Sequence, residues 1–177
     1  VLIIHSNQVV PTGFPIIQLA QYLGIQKNIL FISDYEEIVK SSNQKCAEHY
    51  NTFDALLHPS QTEGFGLTVI EAGSCGKPVI VNDSTSMPEM IVEGKTGYVC
   101  KRASRRYTND LSFVDVADVP SLYECMEKVY TLVKEHPEKT MQVCRNHIKE
   151  KYNIDTLYKD KWVIILEQLQ EELIREK

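Results

Sequence analysis

The stretch Glu63-Gly-Phe-Gly-Leu-Thr-Val-Ile-Glu71, with Ala72-Gly-Ser-Cys-Gly-Lys-Pro78 behind it, decides how the rest of the chain is read. Gly64 and Gly66 free the backbone to take unusual angles and let a ligand come close to the main chain. From Gly66 onward, Leu67 to Ala72 read as a short helix that Gly73 and Gly76 bring to a stop. A helix starting there points free N–H groups and the positive end of its dipole into the space beside the turn, which suits a phosphate. Glu63 stands just before the helix and Glu71 on it, so both carboxylates are expected to face one pocket from different heights. A carboxylate accepts two hydroxyl hydrogen bonds at once, which suits the diol of a ribose or a pyranose. Phosphate on the helix end and sugars on two glutamates describe a place for a nucleotide sugar.

On either side of this stretch the pattern alternates. Asp54-Ala-Leu-Leu-His58 is an apolar strand stopped by Pro59, and Pro78-Val-Ile-Val81 is the next. Val1 to Ile4, Asn28 to Ile32 and Gly97 to Cys100 read the same way. A helix is expected to start near Thr12 or Gly13, with Pro15 in its first turn, and to close at Gly24. One or two short helices fall between Asp34 and Tyr50, interrupted near Ser41 to Asn43, and another short one runs from Ser86 to about Gly94. Strands and helices in this order imply a Rossmann-like, three-layer α/β/α parallel sheet. Ligands bind beyond the carboxyl ends of such strands. His5-Ser6-Asn7, Ser33-Asp34, His58-Pro59-Ser60 and Asn82-Asp83 occupy that edge.

After Cys100 the pattern changes. Lys101 to Asn109 is polar and basic and reads as a surface loop. Asp118-Val-Pro120 leads into a long helix through about Glu135, with Leu122, Cys125, Met126, Val129, Leu132 and Val133 on one face. Further helices are expected near 138–151 and from about Thr156, the last carrying Leu157, Trp162, Ile165, Leu166, Leu169 and Leu173 at helical spacing. Residues 1–177 are thus read as one domain, with 1–100 the core sheet and helices and 101–177 a loop and C-terminal helices.

Composition narrows the field. The net charge of −5 argues against nucleic acid or an anionic membrane as the main partner, so an anionic ligand has to be held by local groups. The five cysteines are Cys46, Cys75, Cys100, Cys125 and Cys144; their odd number, without a C-x-x-C pair, indicates neither a disulfide framework nor a zinc site. A reduced, cytoplasmic setting fits, with no apolar run of the ~18 residues a membrane span needs and nothing like a signal peptide. Val1-Leu-Ile-Ile4 is already a strand of the buried type, so the chain is expected to be a piece of a longer protein.

His58-Pro-Ser60, then EGFGLTVIEA, then CGKPVIVND resembles the donor-binding signature of the family-four glycosyltransferases, whose fold is termed GT-B; Glu63 and Glu71 carry that family's E-x7-E spacing. The likeness covers roughly residues 1 to 135 and is strongest from Asp54 to Gly97. It implies the C-terminal, donor-binding domain of a two-domain, retaining enzyme that transfers a hexose to a hydroxyl acceptor without a metal or other cofactor. By position, Glu71 is expected on the ribose hydroxyls of a UDP- or GDP-sugar. Glu63 is the candidate catalytic residue, beside the anomeric carbon. The main-chain N–H groups of Gly64, Phe65, Gly66, Leu67 and Thr68 are expected to line sugar and diphosphate, with Ser33 near the base. The acceptor domain, any membrane association, and the family's Arg and Lys for the diphosphate are expected in the remainder of the protein, so the piece alone should be inactive. One departure lies within the chain, where Thr85-Ser-Met-Pro-Glu89 replaces the family's Gly-Gly before Pro-Glu. A GT-B epimerase or phosphorylase, and a non-catalytic binding module, share the same architecture.

Other candidates have plainer readings. His5 is balanced between touching the donor and bonding locally, and His58 shapes the turn before Pro59. Cys75 and Cys100 are read as small buried residues. Lys101, Arg102, Arg105 and Arg106 form a solvated basic run, with an anionic acceptor or lipid phosphate as the sharper alternative. The apolar stripe of the final helix is ordinary packing, part of which is expected to look exposed in the absence of a second domain.

Overall fold

Val79–Asn82 (β4) is buried at all four residues, as a strand covered on both faces must be. It lies between Leu56–His58 (β3) and Gly97–Cys100 (β5), and both pairings are parallel, with Ile80 opposite Leu57 on one side and Tyr98 on the other. The β4–β5 pairing needs Gly97, because a Cβ there would lie 1.8 Å from the Val79 carbonyl oxygen. The computed structural model describes residues 1–5, 14–32 and 42–175, which divide into two units, Val1–Phe53 and Asp54–Lys177.

In the first unit Leu2–His5 (β1) pairs in parallel with Ile29–Ile32 (β2), and Ile16–Tyr22 (α1) connects them. Asn43–Tyr50 (α2) follows, its N-cap Ser42 accepting from the Lys45 N–H at 3.5 Å. The expected interruption near residues 41–43 is thus the start of this helix. Thr12, Gly13, Ser6, Asn7, Ser33 and Asp34 lie outside the described residues.

In the second unit the helix Leu67–Ser74 (α3) joins β3 to β4 and buries Val69 and Ala72. Gly73 does not stop it. That glycine is inside the helix, where Ile148 packs so close that a Cβ would meet its Cγ1 at 2.7 Å, and the helix ends beyond Ser74. Val119–Glu135 (α4) begins as read, with Asp118 accepting from the Ser121 N–H at 2.9 Å and Pro120 in the first turn, where no N–H is needed. Its Cys125 and Val129 pack on Ile80 and Cys100, one face of the sheet. Met126, placed on that face by periodicity, is exposed. Pro137–Tyr152 (α5) lies with α3 over the alternate residues, Val69, Val79, Cys144 and Ile148 closing a small crevice there. The architecture is α/β with parallel sheets and C-terminal helices.

Two elements differ from the sequence reading. Arg102–Tyr107 (β6) is a strand, not a loop, paired antiparallel with Phe113–Ala117 (β7). All six β6 residues are exposed, so no apolar alternation marks it, and only its partner reveals it. At the C-terminus, Ile154–Leu157 (α6) opens into a wide turn, Tyr158–Trp162, before Val163–Arg175 (α7). Trp162, Ile165, Leu166, Leu169 and Leu173 are all exposed, so the stripe is not packed within this unit.

Candidate functional site

The strand β3 ends at His58, and the chain turns through Pro59 to Gly66 before α3 begins. Gly66 makes that turn with φ +95° and ψ 50°, a left-handed conformation in which a Cβ is strained, and it caps the helix without a side chain. Gly64 has no positive φ, so of the two glycines read as conformationally special only Gly66 is. The first intrahelical contact is Val69 N–H to the Gly66 carbonyl at 3.0 Å. The N–H groups of Leu67 and Thr68 therefore stand at the open start of the helix. Leu67 and Phe65 are exposed, Thr68 is half-buried and Gly66 is buried.

Glu63 is held at both ends. Its N–H donates to Thr85 Oγ1 at 3.3 Å, and its Oε1 lies 3.2 Å from His58 Nε2. The same nitrogen lies 3.4 Å from Thr68 Oγ1. In the tautomer protonated at Nε2 the ring donates to the carboxylate, and in the other it accepts from the Thr68 hydroxyl. His58 therefore does more than shape the turn; it is a side chain of the site, joined to Glu63. Glu71 is exposed on the second turn of α3, about 6 Å along the axis from Leu67. Ser33 lies outside the described residues.

The segment that departs from the family pattern contributes here. Thr85 has φ +49°, a conformation glycine adopts more readily and one that costs of order 1–3 kcal/mol in other residues. Its hydroxyl accepts from Glu63 N–H, and the neighbouring Ser86 hydroxyl donates to the Phe65 carbonyl at 2.9 Å. The two hydroxyls tie the turn to the segment after β4, a connection glycines lack. Phe65 also meets Tyr152 edge to face, ring centroids 6.3 Å apart, and burial followed by nearby Glu89 pushes the Tyr152 phenol above its ordinary range.

Several expected edge residues have other work. Asn82 is fully buried and donates to the Asp115 carbonyl at 2.8 Å and the Ser60 carbonyl at 3.3 Å. His5 meets His49 with the rings tilted at 57° and their centroids 4.7 Å apart, and burial followed by the neighbouring His5 lowers the His49 pKa. The basic run is not simply solvated, because Arg105 and Arg102 both reach Asp115. Cys100 is fully buried as read, whereas Cys75 is only half-buried. The crevice lined by Val69, Val79, Thr96 and Cys144 lies beneath α3, at the amino ends of β4 and β5. Among the described residues no group of three His, Cys, Asp or Glu side chains is arranged to hold a metal ion, and no helix is long and apolar enough to cross a membrane.

This geometry can be set beside known proteins. The family model described as "Glycosyl transferases group 1" matches residues 13–110. N-acetyl-alpha-D-glucosaminyl L-malate synthase of Bacillus anthracis is 35% identical over 91 residues, covering 51% of this chain and 22% of that protein. The structure is similar to the C-terminal domain of a group 1 family glycosyl transferase (LpcC) from Francisella tularensis, with a TM-score of 0.55 and 24% identity over 77% of this chain and 60% of that one. It is also similar to Anabaena HepE in complex with UDP and glucose, with a TM-score of 0.55 and 19% identity over 87% of this chain and 35% of that one. At these identities the two structures speak for the fold, and the chain spans about a fifth of the length of the curated relatives it matches.

Proposed function

The chain belongs to the group 1 glycosyl transferases, and from that premise we propose that it is the donor-binding half of an enzyme that moves a hexose from a UDP- or GDP-sugar to a hydroxyl acceptor with retention of configuration. The observation that carries the proposal is the start of α3 at the carboxyl end of β3, opened by left-handed Gly66 and preceded by Glu63. Departure of a nucleoside diphosphate leaves negative charge on its phosphates and positive character on the sugar ring. The N–H groups from Gly64 to Thr68 and the positive end of the α3 dipole stabilise the first. Glu63, oriented by His58, orients the sugar and stabilises the second. Glu71 takes the ribose hydroxyls. A further part of the protein supplies the acceptor site and the cations for the diphosphate, so this half alone turns over little. That HepE was crystallised with UDP and glucose supports this class of ligand.

Titrating the chain with UDP and with GDP, read by amide NMR, is expected to move the signals of residues 63–72 for the correct base. Glu71→Gln should weaken that binding about tenfold, the loss of about 1.4 kcal/mol expected when one charged acceptor is removed. Glu63→Gln in the full-length enzyme should lower kcat about 10²-fold or more. Shifts confined to other residues, or full activity in both variants, would reduce the domain to a fold without this chemistry.

A further inference from the structure

The side chain of Asp115 is fully buried, although it comes from a two-stranded ribbon whose other strand is exposed throughout. A buried carboxylate is tolerated only when its oxygens are satisfied. Arg105, directly opposite in the β6–β7 register, donates from Nε to Oδ1 and from Nη2 to Oδ2, both at 2.8 Å, while its guanidinium lies 3.8 Å from the centre of the Phe113 ring. Arg102 adds a contact to Oδ2 at 3.4 Å, and the Ser84 hydroxyl one at 2.9 Å.

The main chain of the same residue reaches the turn of the candidate site. Asp115 N–H donates to the Gln61 carbonyl at 2.9 Å. Its own carbonyl accepts from Asn82 Nδ2, which also donates to the Ser60 carbonyl. Ser84 Oγ is 3.1 Å from the Gln61 carbonyl as well. Three groups, on β4, the segment after it and β7, thus converge on Ser60 and Gln61, two to three residues before Glu63. The ionised Asp115 side chain, clamped by two arginines, fixes the strand from which that convergence comes.

We infer that the β6–β7 hairpin is a brace for the donor loop, with Asp115 the positioning residue that keeps Ser60, Gln61 and through them Glu63 in place. Its effect on ligand binding rests on the donor-site reading given above; the brace itself does not. Arg105 locks the charge from the solvent side, whereas Arg106, the next residue along the strand, projects to the other face.

Amide hydrogen exchange and UDP affinity, measured on the full chain, separate the two. Asp115→Asn and Arg105→Gln are expected to speed exchange at Glu63 N–H about tenfold while leaving Val81 N–H in β4 unchanged, and Arg106→Gln to leave both unchanged. UDP affinity should fall about fivefold in Asp115→Asn. Unchanged exchange at Glu63 in either of the first two variants overturns the brace, as does equal acceleration at Val81, which would make Asp115 a general support of the fold. If Asp115→Asn does not fold, Arg105→Gln decides, since it keeps the Asp115 carboxylate with its Ser84 and Arg102 contacts. UDP affinity that falls in Glu71→Gln but not in Asp115→Asn, with Glu63 exchange unchanged in the latter, overturns the brace and spares the donor site. Affinity indifferent to Glu71→Gln, with Glu63 exchange still responding to Asp115→Asn, removes the donor site and leaves the brace.

Discussion

At Gly66 a φ of +95° opens the helix on which the site depends. An alanine there would meet Met90 Sδ at 3.4 Å, ordinary contact, so the expense is in the backbone and not in space. Gly66→Ala is therefore expected to lower stability by about 1–3 kcal/mol in urea unfolding and to abolish the UDP-induced shifts at Leu67 and Thr68, whose N–H groups would be redirected. The roles that could be read from the chain alone at this scale are local ones. Glu63, Gly66 and Glu71 are eight residues apart at most, and a turn followed by a helix fixes their order in space. His58 reads from the sequence as a strand tip, whereas its contact with Glu63 depends on how the four intervening residues fold back. From the sequence Thr85 shows only as a departure from the family's glycines. That its hydroxyl would engage the Glu63 N–H 22 residues away had no trace in the sequence.

Among elements, α3 and α4 were legible because each carries its own signals, a glycine turn in one and Asp118 with Pro120 in the other. The β6–β7 hairpin was not, since an exposed strand has no apolar period and its stability comes from cross-strand pairs. One of those pairs makes a pH prediction. Arg105 first, then Ser84 and Arg102, hold the Asp115 carboxyl well below the usual carboxylate range despite its burial. In the folded chain the group thus stays charged at a pH where the unfolded chain has begun to take up protons. Its contribution is complete above about pH 4 and is lost as the pH falls below that value. Chemical denaturation from pH 6 down to pH 2 should show the native chain losing stability on the acid side more steeply than Asp115→Asn, the two curves converging at the lowest pH. Parallel curves would mean that the carboxylate is not the group that titrates.

For the molecule as a whole, the unit Asp54–Lys177 contains the buried strand β4 and three buried thiols, Cys100, Cys125 and Cys144. Burial pushes Cys144 up to about 12 and Cys100 up to about 11, so neither holds an appreciable thiolate at pH 8. Ellman's reagent at that pH should label half-buried Cys46 and Cys75 first and reach Cys100 and Cys144 only as this unit unfolds. Prompt labelling of Cys144 would show that the packing of α5 on the sheet is looser than described. The parallel α/β class was legible from the alternation of elements, whereas the division into two units was not, because no linker composition marks residue 53. The family model ends at residue 110, yet Asp115 bonds to the turn at Gln61. A chimera spliced at the end of the recognisable family stretch would inherit the whole E-x7-E signature and still leave its loop unmoored. Grafting donor specificity between such domains is therefore expected to need a cut beyond Ala117, where the ribbon closes.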